Sequence, residues 1–113
     1  KVYGTKILAS EAVVAAIANE IRFREVDTVR VKGKHIGITV YTPCDDEALI
    51  AMSAEALAAY RGGKFETAEG LWTRLLETYP DDPVAAVFVA RIADFRARGW
   101  PVAWDGITTL EEK

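Results

Sequence analysis

At 113 residues, half of them apolar and 27% charged, the sequence has the length and composition of one ordinary globular domain or two very small ones. The formal net charge of −3, with acidic and basic residues interleaved, argues against a nucleic-acid-binding tail or a membrane-binding patch. A single cysteine, Cys44, excludes an intrachain disulfide, and the uncharged apolar stretches are too short to span a membrane. We therefore expect a cytoplasmic segment without direct membrane or nucleic-acid contact.

The first part of the chain predicts a β-α-β-β element. Lys6–Ala9 has the pattern of a short buried strand, and Ser10 is a good N-cap for a helix that continues to about Glu20. Arg24–Lys32 and Ile36–Tyr41 alternate apolar with polar residues, which indicates a β-hairpin. Such an element leaves a sheet edge and a helix face uncovered, so we expect another segment or chain to cover them.

The second part, residues 44–113, predicts a helical region with a C-terminal tail. Apolar spacing, cap residues, glycines and prolines indicate helices over about Asp46–Tyr60, Phe65–Thr78 and Pro83–Arg98. Ile107–Leu110 is the candidate for a short strand. The predicted fold class is therefore α+β, with a small β-α-β-β element followed by a three-helix unit.

The helices have the spacing of one tetratricopeptide repeat (TPR), which has roughly 34 residues in two antiparallel helices. With Pro80 as the closing proline, five positions match the repeat: Ala56, Gly63, Phe65, Ala68 and Trp72. The third helix would then be a solvating cap. Because one repeat has no long concave groove, peptide binding of the usual TPR kind is disfavoured.

Two segments resemble the end of the catalytic domain of class III nucleotidyl cyclases. They are Phe23–Lys34, which matches a strand of the form f-R-x-l-d-x-V-x-V-K-G-K, and Ile38–Tyr41, which matches a strand ending in v-Y. Ile7–Ala12 resembles the strand-to-helix junction of that family, and the helices with Trp104–Gly106 resemble the C-terminus of a common bacterial version. Because the chain starts at Lys1 without a methionine, we expect it to be a piece of a longer bacterial cyclase.

The resemblance implies that residues 1–43 are the C-terminal end of a catalytic domain and that residues 44–113 are a TPR-like region. The parent would convert ATP, or alternatively GTP, to cyclic nucleotide and pyrophosphate with Mg²⁺ or Mn²⁺, in a catalytic dimer that could be a homodimer. The metal-binding aspartates, base-reading residues and transition-state residues of the family have no counterpart here. We therefore expect no catalytic or metal-binding residue, and an inactive chain unless it joins the rest of its catalytic domain.

Lys32 is the one site residue that the resemblance carries over, as a contact to the triphosphate. Without the resemblance it would be taken for a solvated hairpin lysine, which is how we interpret Lys34. His35 and Cys44 have no ligand or triad partners at motif spacing. The alternative function is a TPR-like interaction or scaffold module without enzymatic role.

Overall fold

The computed structural model describes residues 8–17, 20–31 and 37–110. In chain order its elements are β1 (Ala9–Ser10), α1 (Glu11–Ile17), β2 (Phe23–Val31), β3 (Ile38–Pro43), α2 (Glu47–Arg61), α3 (Phe65–Thr78), α4 (Pro83–Arg98) and β4 (Thr108–Leu110). The fold is α+β, with a small sheet and a helical unit, as the sequence predicts. None of the helices in these residues has the length and apolar character needed to cross a membrane.

The sheet has the strand order β1-β3-β2-β4 in the described residues. β3 lies antiparallel to both β1 and β2, whereas β4 lies parallel to β2, with Thr108 opposite Val29. β2 starts at Phe23 rather than Arg24, and β3 extends to Pro43 rather than Tyr41. The tail of the chain thus adds a strand to the sheet formed by the first part.

A β-bulge in β2 determines which of its residues face the helices. Glu25 lies opposite Tyr41 and Asp27 opposite Val40, so Val26 is an extra residue on β2. A bulge places two successive residues on the same side of a sheet. Val26 and Asp27 are accordingly both fully buried, although one is apolar and the other charged.

The helix ends follow the cap residues of the sequence. Asp46 accepts a hydrogen bond from the Leu49 backbone N–H at 3.1 Å, and Asp82 accepts one from the Ala85 N–H at 2.9 Å. Gly63 follows α2 with a φ of 78°, a left-handed conformation that favours glycine. Both α3 and α4 have the predicted bounds.

The core lies between the three long helices and the face of β2 that the bulge creates. Its largest fully buried side chains are Tyr60, Trp72, Phe88, Leu57, Leu75, Ile92, Val26 and Val84. Ala56, Phe65 and Ala68, three further residues of the TPR pattern, are also buried. By contrast, none of the residues of α1 is buried, and Val13 is 48% exposed, so this apolar helix face is uncovered as expected.

Candidate functional site

The predicted phosphate-binding lysine, Lys32, lies outside the described residues, together with Lys34 and His35. β2 ends at Val31, directly before Lys32 in the sequence. The structure therefore describes the strand that leads to Lys32. What holds this strand in place is the relevant geometry for the candidate site.

All four charged residues of β2 form ion pairs with the helices or the tail. Arg24 pairs with Asp82, Glu25 with Arg61, Asp27 with Arg91 and Arg30 with Asp105; we call these pairs the β2 ion-pair row. The row runs along β2 towards Val31. It connects the strand that carries the cyclase-like motif to α2, α4 and the segment before β4.

Arg24 donates from all three of its guanidinium nitrogens. Its Nη1 and Nη2 donate to the two carboxylate oxygens of Asp82 at 2.6 and 2.8 Å, and its Nε donates to Ser53 Oγ at 2.7 Å. The side chains of Arg24 and Asp82 are only 3% and 7% exposed. Because these two N–H···O bonds are parallel and buried, they fix the orientation of the Arg24 guanidinium relative to the Asp82 carboxylate as well as the distance between the two groups. Arg24 therefore joins β2 to both α2 and the N-terminus of α4.

Arg91 extends from the middle of α4 to three other elements. Its Nη1 donates to Asp27 Oδ2 at 2.9 Å, to Thr108 Oγ1 at 3.1 Å and, more weakly, to the Tyr60 hydroxyl at 3.4 Å. Asp27 is fully buried, and its charge is compensated by this guanidinium. Burial is the main cause that raises the pKa of Tyr60. The Tyr60 hydroxyl therefore remains protonated and neutral beside the pair.

Glu25 and Arg61 form the pair at the bulge, close to Tyr41 on β3. Burial is the largest cause that raises the pKa of Tyr41, and the negative charges of Glu25 and Glu11 raise it further. Arg61 Nε and Nη2 are buried and have no hydrogen-bond partner within the part of the chain that the structure describes. Glu25 thus accepts from one side of the Arg61 guanidinium only.

The end of the row borders a cleft of about 400 Å³ between α4 and the tail. Arg30 donates to Asp105 Oδ2 at 2.8 Å and to Thr109 Oγ1 at 3.0 Å at its edge. Bonds from the Arg30 side chain and then from the Ile107 backbone N–H lower the pKa of Asp105. Both arginines that line the cleft, Arg30 and Arg91, have carboxylate partners, so the cleft does not concentrate positive charge.

The charged residues of the row are paired with one another. Over residues 8–17, 20–31 and 37–110, there is no group of three or more His, Cys, Asp or Glu side chains that could hold a metal ion. The Mg²⁺ or Mn²⁺ that the cyclase resemblance implies has no such cluster of donors among these residues. Paired charges in this arrangement hold a strand in a defined position.

Other residues singled out in the sequence lie away from the row. Cys44 is half-buried between β3 and α2, and its Sγ lies 3.9 Å from the Asp46 carbonyl oxygen. Trp104 packs the tail onto the helices, and its Nε1 donates to the Tyr60 carbonyl oxygen at 2.9 Å. Trp100 stacks on Phe65 but remains 39% exposed.

Sequence reasoning missed the partners in the row. Asp82 lies at the start of α4, where an aspartate is a common cap, but the local sequence carries no signal for its pairing with Arg24. Arg91 and Asp27 were not predicted as site residues. The available signal was the presence of Arg24 and Asp27 in a strand that otherwise presents Val26 and Val29 to the core.

Comparison with known proteins gives no further constraint on function. No protein-family model matches the chain, and neither a curated protein nor a solved structure matches it. The functional case therefore depends on the residues and geometry described above.

Proposed function

We propose that this chain is a non-catalytic part of a class III nucleotidyl cyclase, comprising the C-terminal end of the catalytic domain and a helical region that supports it. The intact parent would convert ATP, or GTP, to the 3′,5′-cyclic nucleotide and pyrophosphate in cytoplasmic signal transduction. The supporting observation is the β2 ion-pair row. The strand with the cyclase-like motif is bonded at each of its four charged residues to the helices or tail.

In this proposal Lys32 supplies positive charge to the triphosphate. A lysine ammonium is a compact point charge on a flexible stem, so it can approach a phosphate oxygen and neutralise charge on the departing pyrophosphate. The ammonium can act only if the main chain at Lys32 is held near the nucleotide. β2 provides that support, because it is fixed up to Val31 by hydrogen bonds to β3 and β4 and by the row.

The rest of the parent catalytic domain is the main partner in this proposal. It would supply the metal-binding and base-reading residues and would cover the apolar side chains left exposed on and near α1, including Val13, Ile21 and Leu8. A homodimer of the parent would then provide the complete catalytic site.

Substitution of two neighbouring lysines in the full-length parent tests the proposal. Lys32→Ala should raise the KM for the nucleotide and lower kcat, because a contact to the triphosphate is lost. Lys34→Ala removes the same charge two positions further along the sequence and should have much less effect. Equal and negligible effects of both changes would return Lys32 to the role of a solvated surface lysine.

A second candidate function is a TPR-like interaction or scaffold module. It is favoured by the burial of the small residues Ala56 and Ala68 at the positions that the repeat pattern assigns to close helix packing. Trp100 and Val102, which are 39% and 89% exposed, would be the first residues to test for partner contact. If the sequence upstream of this segment in the parent lacks the metal-binding aspartates of class III cyclases, the second function is favoured.

A further inference from the structure

The cleft between α4 and the tail has the size and the lining of a small-molecule site. Its volume is about 400 Å³, and ligand pockets usually measure roughly 300–1,000 Å³. Aromatic side chains form part of its lining, and guanidinium, hydroxyl and carboxylate groups form another part. Among the lining residues are Arg30, Tyr60, Phe95, Trp104, Asp105 and Thr109. Such a mixture of apolar surface and a few polar groups is typical of sites for small organic molecules.

The walls of the cleft are held in place by the protein itself. Trp104 Nε1 donates to the Tyr60 carbonyl oxygen at 2.9 Å, and the centroids of the Trp104 and Phe95 rings are 6.0 Å apart. Ala103, the residue before Trp104, has a φ of 53°. This conformation is uncommon for residues other than glycine, and it persists only where the surrounding structure specifies it. The tail side of the cleft is thus preformed, so a ligand does not have to order it on binding.

Arg30 has a guanidinium nitrogen available at the edge of this cleft. Its Nε donates to Thr109 Oγ1 at 3.0 Å, and its Nη1 donates to Asp105 Oδ2 at 2.8 Å. Arg30 Nη2 forms no hydrogen bond with any residue in the ranges 8–17, 20–31 and 37–110. A carbonyl oxygen of a ligand can therefore accept a hydrogen bond from Nη2 while the two existing bonds are kept.

The charges at this edge select against an anionic ligand. Bonds from the Arg30 side chain and then from the Ile107 backbone N–H lower the pKa of Asp105, so its carboxylate is negative near neutral pH. A carboxylate on the ligand would lie beside Asp105 and be repelled by it, whereas the carbonyl of an amide carries no net charge. Arg91, the other arginine of the lining, is already ion-paired with Asp27.

We propose that this cleft binds a small, uncharged aromatic molecule that carries an amide or lactam carbonyl. Its ring packs against Phe95 and Trp104, and its carbonyl oxygen accepts a hydrogen bond from Arg30. The site is independent of the proposed cyclase origin. Because the molecule contacts both α4 and the tail, its binding stabilises the docked position of β4.

Benzamide and benzoate test the proposed ligand class, because they share a ring and differ in charge. Benzamide should shift the NMR signals of the Trp104 indole N–H and of the backbone amides of residues 105–109 in the ¹⁵N-labelled chain at about pH 7, with a Kd that is roughly millimolar for so small a molecule. Benzoate should bind roughly tenfold more weakly. Equal affinities for the two compounds would overturn the proposal, as would the absence of benzamide-induced shifts at these residues.

Substitutions at the Arg30–Asp105 pair test the role of each charge. The two side chains are 27% and 46% exposed, so replacing either leaves no fully buried charge unpaired. Asp105→Asn should reverse the preference, because benzoate then meets Arg30 without a competing anion. Arg30→Gln should weaken benzamide binding by roughly tenfold, because the charged donor is lost.

The matched control is Asp94→Asn, which removes an exposed carboxylate that pairs with Arg98 on α4. It should leave the affinities for both compounds unchanged. If Asp105→Asn keeps the original order of the two compounds, or if Arg30→Gln binds benzamide as tightly as the control does, the proposed contact with Arg30 is wrong.

Hydrogen exchange gives a second measurement of where the molecule binds. At ten times its Kd, benzamide should slow the exchange of the β4 amides, Thr108–Leu110, by up to about tenfold, because binding opposes the opening of the tail. Amides of α3 should keep their exchange rates. Unchanged exchange at Thr108–Leu110 would contradict a position between α4 and the tail.

Discussion

Arg24 and Asp82 form two parallel hydrogen bonds, of 2.6 and 2.8 Å, although they are 58 residues apart in the sequence. The same Asp82 carboxylate accepts the backbone N–H of Ala85 at 2.9 Å and so caps α4. One side chain therefore both starts a helix and binds the strand that packs beneath it. Loss of this carboxylate removes two stabilising contributions at once.

Asp82→Ala should lower the free energy of unfolding by about 3–5 kcal/mol, because it leaves the buried Arg24 guanidinium without its anion. The neighbouring Asp81 is exposed, and Asp81→Ala removes the same charge with little expected effect. Urea unfolding of both variants measures the difference. Similar midpoints for the two variants would show that the Arg24–Asp82 pair does not support the fold.

Ala68→Leu should destabilise the chain by about 1–3 kcal/mol, because Ala68 is fully buried in the core where α3 packs against α2. The larger side chain has to displace its neighbours. Ala54 is exposed on α2, and Ala54→Leu serves as the control. Thermal melts compare the two. If Ala68→Leu melts like the unmodified protein, the TPR register assigned to these helices is wrong.

Asp46 should make the fold sensitive to acid. The bond from the Leu49 backbone N–H, followed by the bond from the Tyr79 hydroxyl, lowers its pKa from the ordinary 3.8. The charged form thus stabilises the folded state above the ordinary pKa, and this contribution is lost as the pH falls through the lowered value. Asp46→Asn keeps a capping side chain and should reduce the loss of stability between about pH 7 and about pH 2.

The control for this pH dependence is Asp45→Asn, which removes the same charge from the exposed residue before the cap. Denaturant titrations at the two pH values measure both variants. An unchanged pH dependence in Asp46→Asn would show that this cap does not contribute to acid unfolding.

The isolated chain should form no cyclic nucleotide from ATP or GTP in the presence of Mg²⁺ or Mn²⁺. The reason is that the described residues contain no cluster of three or more His, Cys, Asp or Glu side chains that could hold a metal ion, and the sequence has no counterpart of the aspartate pair of class III cyclases. Product analysis by mass spectrometry checks this expectation. Formation of cAMP or cGMP by a pure sample would mean that a catalytic site has been overlooked.

The helices could be predicted from the sequence because their ends are specified locally. Asp82 and Pro83 start α4, and Gly63 follows α2 in a conformation that glycine adopts without strain. The bounds of α3 and α4 agree with the prediction residue for residue. Such signals need only neighbouring residues, so one sequence is sufficient to find them.

The β2 ion-pair row could not be predicted in the same way. Strict alternation would place Asp27 and Val26 on opposite faces of the sheet, and only the bulge brings both into the interior. Arg91, which donates to Asp27, is 64 residues away on α4, a separation over which a single sequence carries no pairing signal. The contacts of Arg91 with β2, α2 and β4 follow from tertiary packing alone.

The parallel pairing of β4 with β2 has a consequence for the order of events during synthesis. Thr109 emerges from the ribosome 79 residues after Arg30, its hydrogen-bond partner, whereas β3 follows β2 closely and the helices contact their chain neighbours. Contacts between distant segments form late, because the intervening loop must be closed first. The hairpin and helices can therefore fold on a nascent chain, but one edge of the sheet stays open until β4 has been synthesised. During that interval a chaperone or another nascent chain can reach the strand that β4 later covers.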